Sequence, residues 1–174
     1  MNFDYAHSNS IVKELFEKAR TRIPTWINLN RPCKIVEGNT RIGFRNPDEN
    51  TRFAPDINDT SIVMSVSRGD SHIYLTGDAC ASILLNSFDC CGSINNMLKV
   101  SHHGSRTGTD CRLIHKITPS EAFISAGSSR KYRHPHKEVV DMLKYFGSNI
   151  IISKNVKRTI EYRLNSSGVD RTII

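Results

Sequence analysis

The stretch LKVSHHGSRT, residues 98–107, places two adjacent histidines directly after a short apolar run. Residues 97–100 have the length and composition of a buried strand bounded by polar residues. A second run, YLTGD at residues 74–78, ends in an aspartate. A third, ISAG at residues 124–127, is followed by YRHPH at residues 132–136. Three predicted strands are therefore each followed by side chains that can bind a metal.

The loops that leave the strand ends of an open α/β sheet are where ligands gather, so we expect these three loops to converge on one cleft. Imidazole and carboxylate groups are the ligands expected for zinc or manganese in hydrolases. The pattern makes Asp78, His102, His103, His134 and His136 candidate ligands of a Zn²⁺ or Mn²⁺ site.

Each of these residues also has a plainer interpretation. Thr-Gly-Asp after a strand is a common turn, so Asp78 alone indicates little. Adjacent histidines point to opposite sides of an extended chain, and His102 and His103 can share a metal only if the chain bends, which Gly104 permits. His134 could simply precede a helix-starting proline, with His136 a solvated first-turn side chain. Against this, four of the seven histidines fall in two short loops that follow strands.

The hydrophobic pattern over the rest of the chain predicts a mixed α/β layered domain. Helices are expected at residues 10–22, 80–86, 111–117 and 135–146. Pro135 suits the first position of the last helix, and Gly147 suits its C-terminal cap. Strands are expected at 41–44, 61–66, 72–76, 97–100, 122–125, 150–153 and 159–164, with a hairpin turn at 68–70. Residues 165–174 are expected to form a loosely held tail.

Length and composition set further bounds. A chain of 174 residues with 38% hydrophobic content is enough for one domain and too little for two ordinary ones. It contains no run of eighteen apolar residues and no N-terminal signal pattern, so we expect a cytoplasmic protein without a membrane span. Five cysteines are an odd number without CxxC spacing, which favours reduced thiols.

The net charge of +7 and a pI near 9.3 indicate a surface that attracts polyanions. Positive charge around a hydrolytic metal suits a phosphodiester or another anionic substrate. Tyr132 among these charges could stack on a base. The residues predicted to contact phosphate or nucleic acid are Lys99 and Arg106 beside the double histidine, and Arg130, Lys131 and Arg133 beside His134.

Five segments taken together resemble one known family. They are NDTSIVM at 58–64, IYLTGDA at 73–79, LKVSHHGSRT at 98–107, SAG at 125–127 and HPH at 134–136. In this order they resemble the later part of the metallo-β-lactamase-like domain of ComEC-type DNA-uptake proteins and their soluble relatives. The resemblance covers roughly residues 34–164.

The resemblance implies an α/β fold, namely the C-terminal half of an αβ/βα sandwich: a mixed sheet with flanking helices and a mononuclear or dinuclear metal centre at its edge. By motif, Asp78 corresponds to a metal-bridging aspartate and His134 to a late ligand. His102 and His103 lie where the family has a site histidine, which acts as a ligand or as a general acid. The metal in such enzymes lowers the pKa of a bound water, and the hydroxide attacks a phosphoryl or acyl centre.

The sequence departs from the family at one point. The early His-x-His-x-Asp-His motif, which supplies most ligands of the first metal, does not occur in it. We therefore expect a single domain over residues 1–164 that lacks the half bearing this motif, with an incomplete metal centre or none. The sheet edge and the apolar face that the missing half would cover are then expected to be covered by a second chain or by a second copy of this one.

Two functions follow as hypotheses. The first is a metal-dependent hydrolase-like module, related to phosphodiesterases or nucleases and incomplete without a partner half. The alternative is a non-catalytic module that binds a partner protein or DNA through its basic face. An amide hydrolase of the lactamase type is a third option, because the fold hosts many chemistries.

Overall fold

The computed structural model describes residues 32–51, 53–89, 95–127, 132–156 and 158–174. The predicted helix at residues 10–22 lies outside these ranges. Outside them as well are Cys90, Cys91, Arg130 and Lys131.

The first four strands form an antiparallel meander. They are β1 (Cys33–Glu37), β2 (Thr40–Asn46), β3 (Val63–Arg68) and β4 (Ser71–Leu75). Gly38 and Gly69 take positive φ angles in the two tight turns, a backbone conformation that glycine adopts without strain. The hairpin turn at residues 68–70 is confirmed, whereas β1 was not predicted, because its exposed, partly charged residues carry no buried face.

The second half of the sheet is parallel. Strands β5 (Asn95–Lys99), β6 (Glu121–Ile124) and β7 (Asn149–Ile152) follow β4 in order, each preceded by a helix. The helices are α1 (Ala81–Ser87), α2 (Cys111–Ile117) and α3 (Lys137–Tyr145). The expected α/β class, a mixed sheet with flanking helices, is confirmed. None of the described helices has the length and apolar character that crossing a membrane requires.

The main core lies between these helices and one face of the sheet. Leu84, Leu113 and Leu143, one from each helix, are fully buried together with Leu98 of β5 and Ile124 of β6. Alternate residues of a strand point to opposite faces. The neighbours of these core residues, such as Met97 and Phe123, therefore belong to the other face.

A two-stranded hairpin packs on that other face. Its strands are β8 (Ile160–Leu164) and β9 (Val169–Ile173), and it contacts β4 and β5. The expectation of a loosely held tail at residues 165–174 was wrong, because β9 pairs with β8 over five residues. Isolated hairpins are only marginally stable, so packing on the sheet has to support this one. The rings of Phe123 and Tyr162 meet at 6.4 Å across the contact.

Helix α3 begins two residues later than the sequence suggests. Pro135 is not its first residue, because His136 is still extended and acts as the N-cap. The chain is extended here because it is hydrogen-bonded to the loop after β5: the His136 N–H donates to the Gly104 carbonyl at 3.0 Å. The helix ends at Tyr145, one residue before the predicted end, and Gly147 follows the C-cap residue Phe146 with φ +79.

An ion pair fixes the hairpin at the amino end of the parallel strands. Arg171 donates to Glu121 at 2.6 Å, and the two side chains are 30% and 18% exposed. We expect Arg171→Ala to lower the free energy of unfolding by about 1–3 kcal/mol, because it leaves a half-buried carboxylate without its charged partner. Chemical denaturation measures the change.

Arg163→Ala is the matched control. Arg163 also pairs with a glutamate of the same hairpin, at 2.9 Å, but its side chain is 71% exposed. Exposed pairs contribute about 0–1 kcal/mol, so this variant should be nearly neutral. Equal losses for the two variants would show that the hairpin is not held by the Arg171–Glu121 pair.

Candidate metal centre

The three predicted loops meet at the carboxyl edge of the parallel strands. The turn at residues 76–78 follows β4, the double histidine follows β5, and the segment that leads to His134 follows β6. Strands β4, β5 and β6 are adjacent and parallel, so their carboxyl ends lie side by side. This arrangement is the one that the sequence predicted.

Three histidine rings form a triangle in this cleft. Ring centroids are 5.6 Å apart for His102 and His134, 6.2 Å for His102 and His103, and 6.3 Å for His103 and His134. Two imidazoles on one zinc ion, at about 2.0–2.1 Å from the metal, have centroids roughly 5–6 Å apart. The rings line a cavity of about 420 Å³ together with Gly127 and Tyr132.

Asp78 stands on the β4 side of the triangle. Its Oδ2 lies 3.8 Å from Nε2 of His103. Two ligand atoms on a tetrahedral zinc are about 3.4 Å apart, so this separation is slightly wide. The carboxylate is about one-third exposed and therefore accessible from the cleft.

The segment before β3 supports the turn that carries Asp78. The Asp78 N–H donates to the Ser61 hydroxyl at 3.1 Å, and the Cys80 N–H donates to the Asp59 carboxylate at 2.9 Å. Buried Asn46 in turn donates to the carbonyls of Asp59 and Ser61, at 2.8 Å each. The NDTS run at residues 58–61 therefore holds the turn of Asp78 in place.

The double histidine bends within itself. His102 and His103 have φ angles of 45 and 57, both in the left-handed region. The bend expected at Gly104 therefore starts two residues earlier. For residues with a side chain this conformation costs roughly 1–2 kcal/mol each, and such strain is concentrated at functional sites.

His103 is oriented by a backbone carbonyl. Its Nδ1 lies 2.6 Å from the Ser125 carbonyl oxygen, which can only accept, so Nδ1 carries the proton. Nε2 of a neutral ring is then free to bind a metal, and Nε2 is the atom that faces Asp78. A carbonyl that fixes the tautomer in this way is typical of metal-binding histidines.

The surroundings of His134 favour its neutral form. Burial lowers the pKa of His134, and the possible positive charge of His136 lowers it further. His102 and His103 act in the same direction, while the Asp78 carboxylate opposes them. A neutral imidazole is the form that binds a metal.

Lys99 points into the protein. Its ammonium donates to the Gly77 carbonyl at 3.1 Å and lies 3.9 Å from Oδ1 of Asp78, with the side chain 21% exposed. Burial lowers the pKa of Lys99, and the charge of Asp78 partly opposes this. Its predicted contact with nucleic-acid phosphate stays a prediction.

The other basic residues of the prediction are exposed where the structure describes them. Arg106 and Arg133 flank the histidine cluster on two loops, with Arg133 in a left-handed conformation at φ 52. Arg130 and Lys131 lie outside the described residues. Contact of these four residues with phosphate is likewise untested.

The sequence missed the part that His136 plays. Its ring lies 4.8 Å from that of His134, and its Nδ1 accepts the Arg106 N–H at 3.1 Å. The sequence left open whether His136 is a solvated first-turn side chain or a member of the histidine cluster. The spacing of the two histidines in HPH, residues 134–136, could have indicated that His136 also belongs to the site. It could not have indicated which atoms His136 contacts.

The donor set fits a metal in its chemistry and approximate spacing. The described residues nevertheless contain no group of three or more His, Cys, Asp or Glu side chains close enough together to hold an ion.

The comparison with family models gives no match for this chain. The curated relatives include ComE operon protein 3 of Bacillus subtilis (strain 168), 32% identical over 109 residues, which are 61% of this chain and 14% of that protein. Recombination protein 2 of Haemophilus influenzae is 34% identical over 93 residues, 53% of this chain and 12% of that protein. Competence protein ComA of Neisseria gonorrhoeae is 25% identical over 130 residues, 72% of this chain and 18% of that protein.

These matches link the chain to ComEC-type competence proteins, as the sequence motifs suggested. The chain spans less than a fifth of the length of each of these relatives. The link therefore concerns one part of a much larger protein.

Proposed function

We propose that this chain is a metal-dependent hydrolase module of the metallo-β-lactamase superfamily, related to phosphodiesterases or nucleases. The proposal rests mainly on one observation: three histidine rings and the Asp78 carboxylate face one cleft at the carboxyl edge of the sheet. The order of the motifs along the chain supports the same family.

The donor residues divide into two kinds. Asp78, His103 and His134 are the ligands we propose for Zn²⁺ or Mn²⁺, because His103 presents Nε2 toward Asp78 and the ring of His134 lies in the same triangle. A bound ion of this kind supplies Lewis acidity and lowers the pKa of a bound water. His102 lies within the triangle, 5.6 Å from His134 between ring centroids, and is suited to giving a proton to a leaving group.

Further ligands have to complete this centre. A catalytic zinc site uses three protein ligands and one open position, and the described residues hold no group of three at binding distance. We propose that a second chain, or a second copy of this one, supplies the missing donors. Such a partner would also cover the face of the sheet that carries the hairpin.

The substrate we propose is a nucleic acid. Arg106 and Arg133 are exposed residues of the two loops that carry the histidines, and Tyr132, which lines the cleft, is 58% exposed. Guanidinium groups bind phosphate well, and an exposed aromatic ring can stack on a base. The relatives named for competence and recombination agree with such a substrate.

Metal binding and cleavage test this function together. The chain is titrated with Mn²⁺ and with Zn²⁺ by calorimetry, alone and mixed with a polypeptide that carries a His-x-His-x-Asp-His segment. Labelled single-stranded and duplex DNA then serve as substrates for each mixture. We expect metal-dependent cleavage by the mixture; a mixture that binds metal stoichiometrically and cleaves neither substrate contradicts the proposal.

A second candidate is a non-catalytic module that binds DNA or a partner through its basic face. The lack of a ready group of three ligands in the described ranges favours it. It predicts salt-sensitive DNA binding that survives loss of His102 and His103, without stoichiometric metal. Tight metal binding with hydrolysis excludes it.

A further inference from the structure

His136 joins two of the loops that form the site. Its backbone N–H donates to the Gly104 carbonyl at 3.0 Å, and its ring Nδ1 accepts the Arg106 N–H at 3.1 Å. One residue at the start of α3 thus makes two hydrogen bonds to the loop after β5.

Packing reinforces this junction. A Cβ atom at Gly104 would lie 2.6 Å from the Cβ of Pro135, so the two loops touch where only glycine fits. Gly104 is itself at φ +83, a conformation that glycine tolerates best. The junction lies directly after His102 and His103, whose backbone is in the left-handed region.

A strained backbone persists only where its surroundings hold it. Upstream, the His102 N–H donates to the Gly77 carbonyl, at 3.3 Å. Downstream, the bonds to Gly104 and Arg106 restrain the chain, and both involve His136. His134, two residues before His136, is fixed by the same connection to the double histidine.

We propose that His136 is a positioning residue of the metal site. Its Nδ1 and its backbone N–H fix the loop of His102 and His103 at a set distance from His134, and it acts on a metal only through these side chains. This role rests on the proposed function, because it concerns the same donor set.

Two substitutions separate the ring acceptor from the rest of the side chain. His136→Ala removes the acceptor for the Arg106 N–H. In His136→Asn the side-chain carbonyl oxygen lies about where Nδ1 lies and can accept the same bond. His115→Ala is the matched control, since His115 is an exposed histidine on α2, outside the cluster.

The first measurement is made without metal. Amide hydrogen exchange at Arg106 is followed by NMR in the wild type and the three variants, because exchange reports local opening. We expect exchange at Arg106 to become at least about tenfold faster in His136→Ala and to return near the wild-type rate in His136→Asn. Unchanged exchange in His136→Ala overturns the proposal.

The second measurement is the affinity for Mn²⁺, by calorimetry. Loss of a residue that orients a ligand typically lowers metal affinity about 10- to 100-fold, so we expect this loss in His136→Ala, none in His115→Ala and recovery in His136→Asn. Equal weakening by Ala and Asn also overturns the proposal. A wild-type chain that binds no Mn²⁺, alone or with its complement, refutes the proposed function, while the exchange rates still decide the role of His136.

Discussion

Replacing Asp78 with alanine is expected to abolish metal-dependent DNA cleavage by the assembled protein. Asp78 is the one carboxylate that faces the histidine triangle in the described structure, and its Oδ2 already lies 3.8 Å from Nε2 of His103. Losing a residue that merely orients a ligand costs about 10- to 100-fold in metal affinity, so losing a ligand should cost at least as much. Calorimetry with Mn²⁺ and a cleavage assay measure the two losses.

The fold should survive this change. Asp78 lies in a turn, and Lys99 keeps its hydrogen bond to the Gly77 carbonyl when the carboxylate is removed. Circular dichroism should therefore show an intact domain. Asp141→Ala serves as the control, because Asp141 pairs with Lys137 on the surface of α3, away from the cleft. Cleavage that is unchanged in Asp78→Ala would remove the basis of the proposed function.

Gly77→Ala is expected to destabilise the domain by about 2–4 kcal/mol and to displace Asp78. Gly77 has φ +56, and a Cβ atom built there lies 2.6 Å from the Cβ of Ser61. Since Ser61 also accepts the hydrogen bond of the Asp78 N–H, relief of the clash has to move the very turn that carries the carboxylate. Denaturation measures the stability, and a Mn²⁺ titration measures the site.

Gly38 provides a matched comparison. It has nearly the same backbone angle, φ +55, but a Cβ atom there meets nothing within 4 Å. Gly38→Ala should therefore cost only about 1 kcal/mol, the strain of the left-handed conformation itself, and leave the metal site unchanged. If both variants lose the same stability, the close contact with Ser61 contributes nothing, and the tight turn does not position Asp78.

The parallel half of the sheet could be predicted from the sequence because its strands are buried on both faces. Strands of this kind appear in the sequence as short apolar runs. Among the helices, α2 (Cys111–Ile117) was predicted with its observed bounds. Asp78, His102, His103 and His134 were found because each follows such a strand. Convergence of loops at one edge is a property of parallel strands, so it did not require the structure.

The elements that were missed carry no periodic apolar signal. Strand β1 and strand β9 lie mostly exposed, and their residues alternate weakly between polar and apolar. Each of these strands forms by pairing with a strand only a few residues away, but its own exposed residues leave no apolar pattern to find. Arg171 was missed for a different reason, because its partner Glu121 is fifty residues away in the chain.

The details of the site depend on contacts that only the folded chain shows. The sequence suggested a bend at Gly104, but the left-handed conformation falls on His102 and His103, where backbone hydrogen bonds from other loops hold it. The predicted contact of Lys99 with phosphate stays a prediction. What the sequence did not show is that its side chain lies on the face of the sheet that carries the hairpin.

All the donor side chains that this chain contributes to the proposed centre come from one continuous stretch, from Asp78 after β4 to His134 before α3. The antiparallel meander and the terminal hairpin contribute support and no donor. The meander and the hairpin should therefore tolerate insertions and substitutions better than the stretch from Asp78 to His134. The turn between β1 and β2, where a Cβ atom at Gly38 would meet nothing within 4 Å, should accept added residues. Added residues between β4 and α3 would separate groups that have to meet at one point.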